Sequence, residues 1–90
     1  MRTEPVEIYS DATNAAILRH PGRRFPGVLI QGDTLHEMLR KVACIKEAAS
    51  NLLPEDERYE LSDLHEHLIE LVAHYKRTLA EHSISLPFVE

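Results

Sequence analysis

In the first third of the chain, hydrophobic and polar positions alternate in short runs bounded by turn residues, which is typical of half-buried strands. The run VEIY (6–9) alternates in this way, and AAILRH (15–20) and VLIQ (28–31) are further strand candidates. SDATN (10–14) and PGRRFPG (21–27) supply turn chemistry between them. The pattern predicts an antiparallel meander. Its third strand is apolar at three consecutive positions, so we expect it to be covered on both faces.

After Gly32 the spacing of apolar residues changes to that of amphipathic helices. The spacing predicts a first helix over 33–50, with Thr34 and Glu37 as a capping box, and its apolar stripe is Leu35, Met38, Leu39, Val42, Ile45 and Ala49. A second helix is predicted over 55–82, beginning after Pro54 or at the later cap Ser62. Its stripe is Leu61, Leu64, Leu68, Leu71, Val72, Tyr75 and Leu79. His82, near its end, is interpreted as a C-terminal cap or a packed histidine.

These elements predict one α+β domain spanning 1–90. A three-stranded antiparallel sheet within 4–31 is followed by an antiparallel helix hairpin, and the two helices are expected to cover the sheet in a small two-layer sandwich. The apolar tail 83–90 alternates Ile84, Leu86 and Phe88. It is interpreted as an edge strand or as a packed tail.

Composition narrows the classes of function. Ninety residues with 43% hydrophobic and 28% charged side chains suit a soluble domain, and no leader or membrane-length apolar run is apparent, so a cytoplasmic protein without membrane contact is expected. A net charge of −5 argues against general nucleic-acid binding. The single cysteine, Cys44, excludes an internal disulfide framework, and we interpret it as an inert exposed or interface thiol.

Two resemblances follow from the order of these motifs. The segment FPGVLIQGDTLHEMLRKVACIKEAA (25–49) resembles the strand–Gly-Asp-Thr–helix segment of HicB-type antitoxins, which are small α/β proteins that neutralise a partner ribonuclease by binding it, often as dimers. Over the whole chain, and through VEIYSDATNAAILRHPGRRFPGVLIQGDT (6–34), the sequence resembles a family of small bacterial proteins with no assigned function. The first resemblance implies a protein-binding role.

Two polar groups are candidate sites. Arg19, Arg23 and Arg24 lie in or beside the Pro-Gly turns, where guanidinium groups could bind an anion or an acidic partner. Alternatively, they form a solvated turn or pair with the protein's own acids at a dimer seam. Four residues at helical spacing on the second helix could contribute metal ligands, or form a hydrated acidic face. They are Asp63, His67, Glu70 and His74.

No convergent catalytic constellation is apparent, so we predict a non-enzymatic protein–protein interaction domain without a cofactor. It is expected to be antitoxin- or immunity-like and to meet an unidentified protein partner through charged outer surfaces. A homodimer is expected, and the residues assigned to its interface are Leu52, Leu53, Tyr59, Ile84, Leu86 and Phe88. The alternatives are a small anion- or nucleic-acid-binding regulator using the arginine turn and a metal-dependent enzyme using the second helix.

Overall fold

The structure is a computed structural model that describes residues 1–90. Three strands come first: β1 (Glu7–Ser10), β2 (Ala16–Arg19) and β3 (Gly27–Leu29). Two helices follow, α1 (Gly32–Ala49) and α2 (Glu55–Glu81), joined through a short 3-10 turn at Ser50–Leu52. The predicted α+β fold, an antiparallel three-stranded sheet followed by two helices, is confirmed. Neither helix has the length and apolarity needed to cross a membrane.

The chain divides into two compact units, Met1–Gln31 and Gly32–Glu90. The first unit is the sheet, in the order β1-β2-β3 with antiparallel pairing throughout. Glu7 lies opposite Arg19, and the register shifts between Ile8 and Ser10. The turn before β2 is held by its own side chains, because the Thr13 hydroxyl both accepts from the Ala15 N–H (3.3 Å) and donates to the Ala15 carbonyl (3.1 Å).

The Pro-Gly pair after β2 closes a tight turn. The Arg23 N–H donates to the His20 carbonyl at 3.0 Å, and Gly22 has a φ of 83°. Proline followed by a residue with positive φ is the sequence of a type II turn. Glycine at position 22 is therefore required by the backbone conformation.

The strand β3 is more exposed than the sequence predicts. Val28 and Leu29 are 58% and 53% exposed, and Ile30 is also exposed, so the expectation that this run is covered on both faces is wrong. The physical reason is position, because β3 is three residues long and lies at the edge of the sheet, where it pairs only with β2. A consecutive apolar run indicates a strand, but it does not guarantee cover.

The second unit is an antiparallel helix hairpin. Lys46, near the end of α1, lies 3.4 Å from the His65 ring in α2, while Gly32 at the start of α1 lies against Tyr75. Of the apolar side chains in this unit, Leu68 and Val72 are buried. The core is therefore small, and both residues belong to the predicted stripe of α2.

Close packing fixes the start of α1. A Cβ atom at Gly32 would overlap the Tyr75 ring, so this position requires glycine for space. The predicted capping box is not formed, because α1 already begins at Gly32 and Thr34 therefore lies inside its first turn, while the Glu37 carboxylate is bound by Arg40. Asp33 instead accepts the Thr34 backbone N–H at 2.9 Å.

A Schellman motif ends α2. The Ile84 N–H donates to the Leu79 carbonyl at 2.9 Å and the Ser83 N–H donates to the Ala80 carbonyl at 3.2 Å, with Ser83 at a φ of 56°. A ring nitrogen of His82 lies 2.9 Å from the Thr78 carbonyl, which agrees with the cap interpretation of this histidine. The chain then turns back along the hairpin.

The tail 83–90 packs on the hairpin and adds no strand to the sheet. The Phe88 ring stacks on His36, with centroids 4.0 Å apart and planes within 3°, and it also approaches Tyr75 at 6.4 Å. Glu90 forms an ion pair with Lys76. Of the two predicted alternatives, the packed tail is the one observed.

Ser83→Gly is expected to stabilise the protein by about 0.5–1 kcal/mol, because a serine side chain disfavours the left-handed conformation that the motif needs. The measurement is urea unfolding followed by far-ultraviolet circular dichroism at a fixed protein concentration. Ser85→Gly is the matched control, since Ser85 does not have a positive φ. A loss of stability in Ser83→Gly would contradict this account of the helix end.

Candidate interaction surfaces

The first candidate surface is the arginine turn in the sheet unit. Arg19 and Glu7 face each other across β1 and β2, and the Arg19 Nε donates to the Glu7 carboxylate at 2.9 Å. The Tyr9 hydroxyl donates to the same carboxylate at 3.1 Å. The bond from Arg19, followed by that from Tyr9, lowers the pKa of Glu7. Arg19 is therefore engaged within its own sheet.

The pairing of Arg19 with Glu7 predicts that the stability of the sheet depends on pH. The folded-state pKa of Glu7 is lowered, so its carboxylate contributes to the stability of the fold at pH values above its unfolded-state pKa. This contribution is lost as pH falls through the folded-state pKa. In an NMR titration, we expect the Glu7 carboxyl to titrate below the ordinary glutamate range. Arg19→Ala should return it toward that range, whereas Arg2→Ala is the control at another surface arginine. An unchanged Glu7 titration in Arg19→Ala would contradict the pairing.

Arg23 and Arg24 differ from Arg19, since neither has a carboxylate partner within the chain. The Arg24 guanidinium lies 5.3 Å from the centroid of the neighbouring Phe25 ring, a cation–π distance. Arg23 lines an open hollow of about 360 Å³ together with Arg19 and His20. The structure thus places two of the three predicted arginines free on the surface of this turn.

The second candidate surface is the outer face of α2. The four residues predicted there as metal ligands are all exposed along the helix: Asp63, His67, Glu70 and His74. No group of three or more histidine, cysteine or acidic side chains is arranged to hold a metal ion. No acidic residue of α2 takes part in an ion pair within the chain. The carboxylates of this face are therefore unpaired within the chain, and the metal hypothesis stays a prediction.

The residues predicted for a dimer interface fall into two separate groups. Leu52, Leu53 and Tyr59 lie around the turn between the helices, while the residues of the tail lie at the opposite end, where Phe88 stacks on His36. Tyr59 and Tyr75 are 16 positions apart on one helix, which corresponds to about 24 Å. Leu52, Tyr59 and Ile84 are strongly exposed, whereas Leu53, Leu86 and Phe88 are half-buried. The six residues do not form one continuous surface.

A third surface was not assigned from the sequence. Four large apolar side chains of the hairpin are 39–54% exposed, and we call them the hairpin face: Met38 and Ile45 on α1, Leu64 and Leu71 on α2. On each helix the two members are seven residues apart, and Leu52 continues the series beyond α1. This spacing is the available sequence signal, because a seven-residue repeat is typical of helices that pack against other helices.

All four residues lie on the same side of the hairpin. Each comes one position before a less exposed residue. Lys46 lies 3.4 Å from His65 across the hairpin, Leu39 is half-buried and Val72 is buried. In an antiparallel pair, residues rotated from the seam in the same sense on both helices project from the same side. The apolar stripe predicted on each helix is thus wider than the contact between the two helices. Part of each stripe therefore stays exposed.

The fold and these surfaces define a small α+β protein with charged and apolar faces. A comparison with known families matches residues 1–88 to a family of unknown function, DUF6959, and the chain belongs to that family. The expected resemblance to a family with no assigned function is thereby confirmed, while the HicB-like segment stays a prediction. No curated protein and no solved structure is significantly similar to this chain.

Proposed function

We propose that this chain is a protein–protein interaction domain that associates with itself and, through its charged outer surfaces, with a further protein. The observation that carries the proposal is the imbalance within the hairpin, where two apolar side chains are buried while the four of the hairpin face are exposed. Exposed contiguous apolar surface is costly in water and is typical of interaction sites. A homodimer is the simplest assembly that would cover it.

Self-association predicts that stability depends on protein concentration, because binding to the native state alone shifts the unfolding equilibrium. We expect the thermal unfolding midpoint of the untagged protein to rise by several degrees over a hundredfold increase in concentration. The measurement is circular dichroism at low concentration and calorimetry at high concentration. A midpoint that stays constant across the range would contradict self-association.

The partner that we propose is basic, and the role is antitoxin- or immunity-like. Support comes from the outer face of α2, whose exposed carboxylates have no cationic partner in the chain. Such a face attracts a positively charged protein. Its negative potential resembles that of a nucleic acid, so it would compete with a nucleic acid for the same basic partner. A pull-down from the native host tests this role. Recovery of no basic protein encoded near this one would count against it.

A second candidate function is favoured by the arginine turn. Arg23 has no carboxylate partner and borders the hollow beside His20, so an anion or a nucleic-acid phosphate could bind there. We expect any binding of a single-stranded oligonucleotide to weaken steeply with salt and to be lost in Arg23→Ala/Arg24→Ala. Arg40→Ala is the control, because Arg40 lies in the helical unit and is paired with Glu37. Equal binding by both variants would exclude the turn as the site.

A further inference from the structure

The tail docks on side chains from both helices of the hairpin, and we call these three residues the tail site: His36 on α1, with Tyr75 and Lys76 on α2. The Phe88 ring stacks on His36 with centroids 4.0 Å apart, and its centroid lies 6.4 Å from that of Tyr75. Glu90 forms an ion pair with Lys76. The tail site therefore holds an aromatic ring and, two positions later, a carboxylate.

The shape of the tail site is set by the hairpin rather than by the tail. Its side chains project from helices, and Tyr75 lies so close to Gly32 that a Cβ there would overlap the ring. His36 comes one turn after Gly32, so both residues lie on the same face of α1. The packing of the two helices thus positions both aromatic walls of the site, as is typical of binding sites built on rigid elements.

The tail itself is weakly attached. Beyond Ile84 no backbone hydrogen bond ties it to the hairpin, and Val89 is 92% exposed. It is held by the half-buried Leu86, one ring stack and one ion pair at the surface, and contacts of the last two kinds are individually weak. A site covered by a weakly held segment of the same chain is open in a fraction of the molecules, so a ligand of the same chemistry can compete for it.

From these contacts we infer that the tail site binds a peptide segment of another protein, and that the tail competes with this segment. The segment carries an aromatic side chain, which stacks on His36 beside Tyr75, and an acidic side chain two positions later, which pairs with Lys76. The tail shows both parts of this chemistry seated on the site. Because this ligand is acidic, the tail site is a second surface beside the outer face of α2, for which a basic partner is proposed.

The test uses a fluorescent synthetic peptide, ISLPFVE, which copies residues 84–90, and measures its binding to full chains by anisotropy. We expect Phe88→Ala and Glu90→Lys to bind it about threefold or more tightly than the original chain, because each variant loosens the competing tail. Val89→Ala is the matched control, since Val89 is exposed beside Phe88, and it should bind like the original chain. Equal binding by all four chains would overturn this inference.

An NMR measurement locates the bound peptide. In Phe88→Ala, we expect the peptide to shift the signals of the His36 ring. The same peptide with its phenylalanine replaced by alanine should bind about tenfold more weakly, because the aromatic ring is the main anchor. Where Phe88→Ala does not fold, Glu90→Lys takes its place, since it changes a side chain at the surface. Saturating peptide that leaves the His36 signals unchanged would contradict binding at the tail site.

Sedimentation velocity distinguishes a segment of another protein from the tail of a second copy. We expect the original chain and Phe88→Ala to sediment alike at each concentration, because the tail binds within its own chain. A dimer that is lost in Phe88→Ala would assign the tail site to the tail of a second copy and would overturn the binding of another protein there.

Discussion

Leu68→Ala is expected to destabilise the protein by about 2–4 kcal/mol, the largest effect of any single truncation in the chain. Leu68 and Val72 are the only buried apolar side chains, and they lie one turn apart on α2 where it faces α1. Removing the leucine side chain leaves a cavity that so small a core cannot easily fill. Since a domain of this size has about 5–15 kcal/mol of stability, this loss removes a large share of it.

Urea unfolding at a fixed protein concentration, followed by far-ultraviolet circular dichroism, measures this loss. Tyr59→Ala is the control, because it removes a larger side chain from an exposed position on the same helix. We expect its effect to stay within about 0.5 kcal/mol. If Leu68→Ala were as stable as Tyr59→Ala, the core of the second unit would not lie where the structure places it.

Gly32→Ala is expected to destabilise the hairpin by about 1–3 kcal/mol, in contrast to the usual gain from alanine in a helix. The new methyl group would overlap the Tyr75 ring, which must then move away from its place beside Phe88. The displacement also disturbs the stack of Phe88 on His36 that holds the tail.

Two further glycines provide the matched controls for this substitution. A Cβ at Gly27 meets nothing, so Gly27→Ala should be close to neutral. Gly22→Ala has the same free space but a φ of 83°, so its cost comes from the backbone alone and should be about 1 kcal/mol. Tyr75→Ala combined with Gly32→Ala should show a strongly non-additive effect, because the clash is already absent. Simple additivity in this double-mutant cycle would contradict a direct contact.

The parts of the fold that could be predicted from the sequence are those that depend on local pattern. The helices follow from apolar residues at 3.6-residue spacing, and the break before Pro54 follows from the proline, with Leu53 extended at a ψ of 144°. The β meander follows from short alternating runs and turn residues. The Gly22 turn is likewise encoded in two adjacent residues.

What could not be predicted depends on which surfaces meet. Nothing in the run Val28–Ile30 distinguishes a covered central strand from an exposed edge, because both are apolar at consecutive positions. The contact of Gly32 with Tyr75 joins positions 43 residues apart and requires the hairpin register. Antiparallel packing of the helices also separates Tyr59 from Phe88, although the sequence offers neither residue an obvious place in the core.

The exposure of the hairpin face could not be predicted for a different reason. Met38, Ile45, Leu64 and Leu71 belong to the predicted apolar stripes, and a stripe alone does not reveal how much of its width one partner helix covers. The finer signal was the seven-residue spacing on both helices, which favours packing against more than one neighbour.

Sedimentation equilibrium of the untagged protein over a wide range of concentrations tests the central claim most directly. The account predicts a mass of twice the 10.3 kDa of the chain at high concentration, with reversible dissociation on dilution. A mass of 10.3 kDa at every concentration would contradict it.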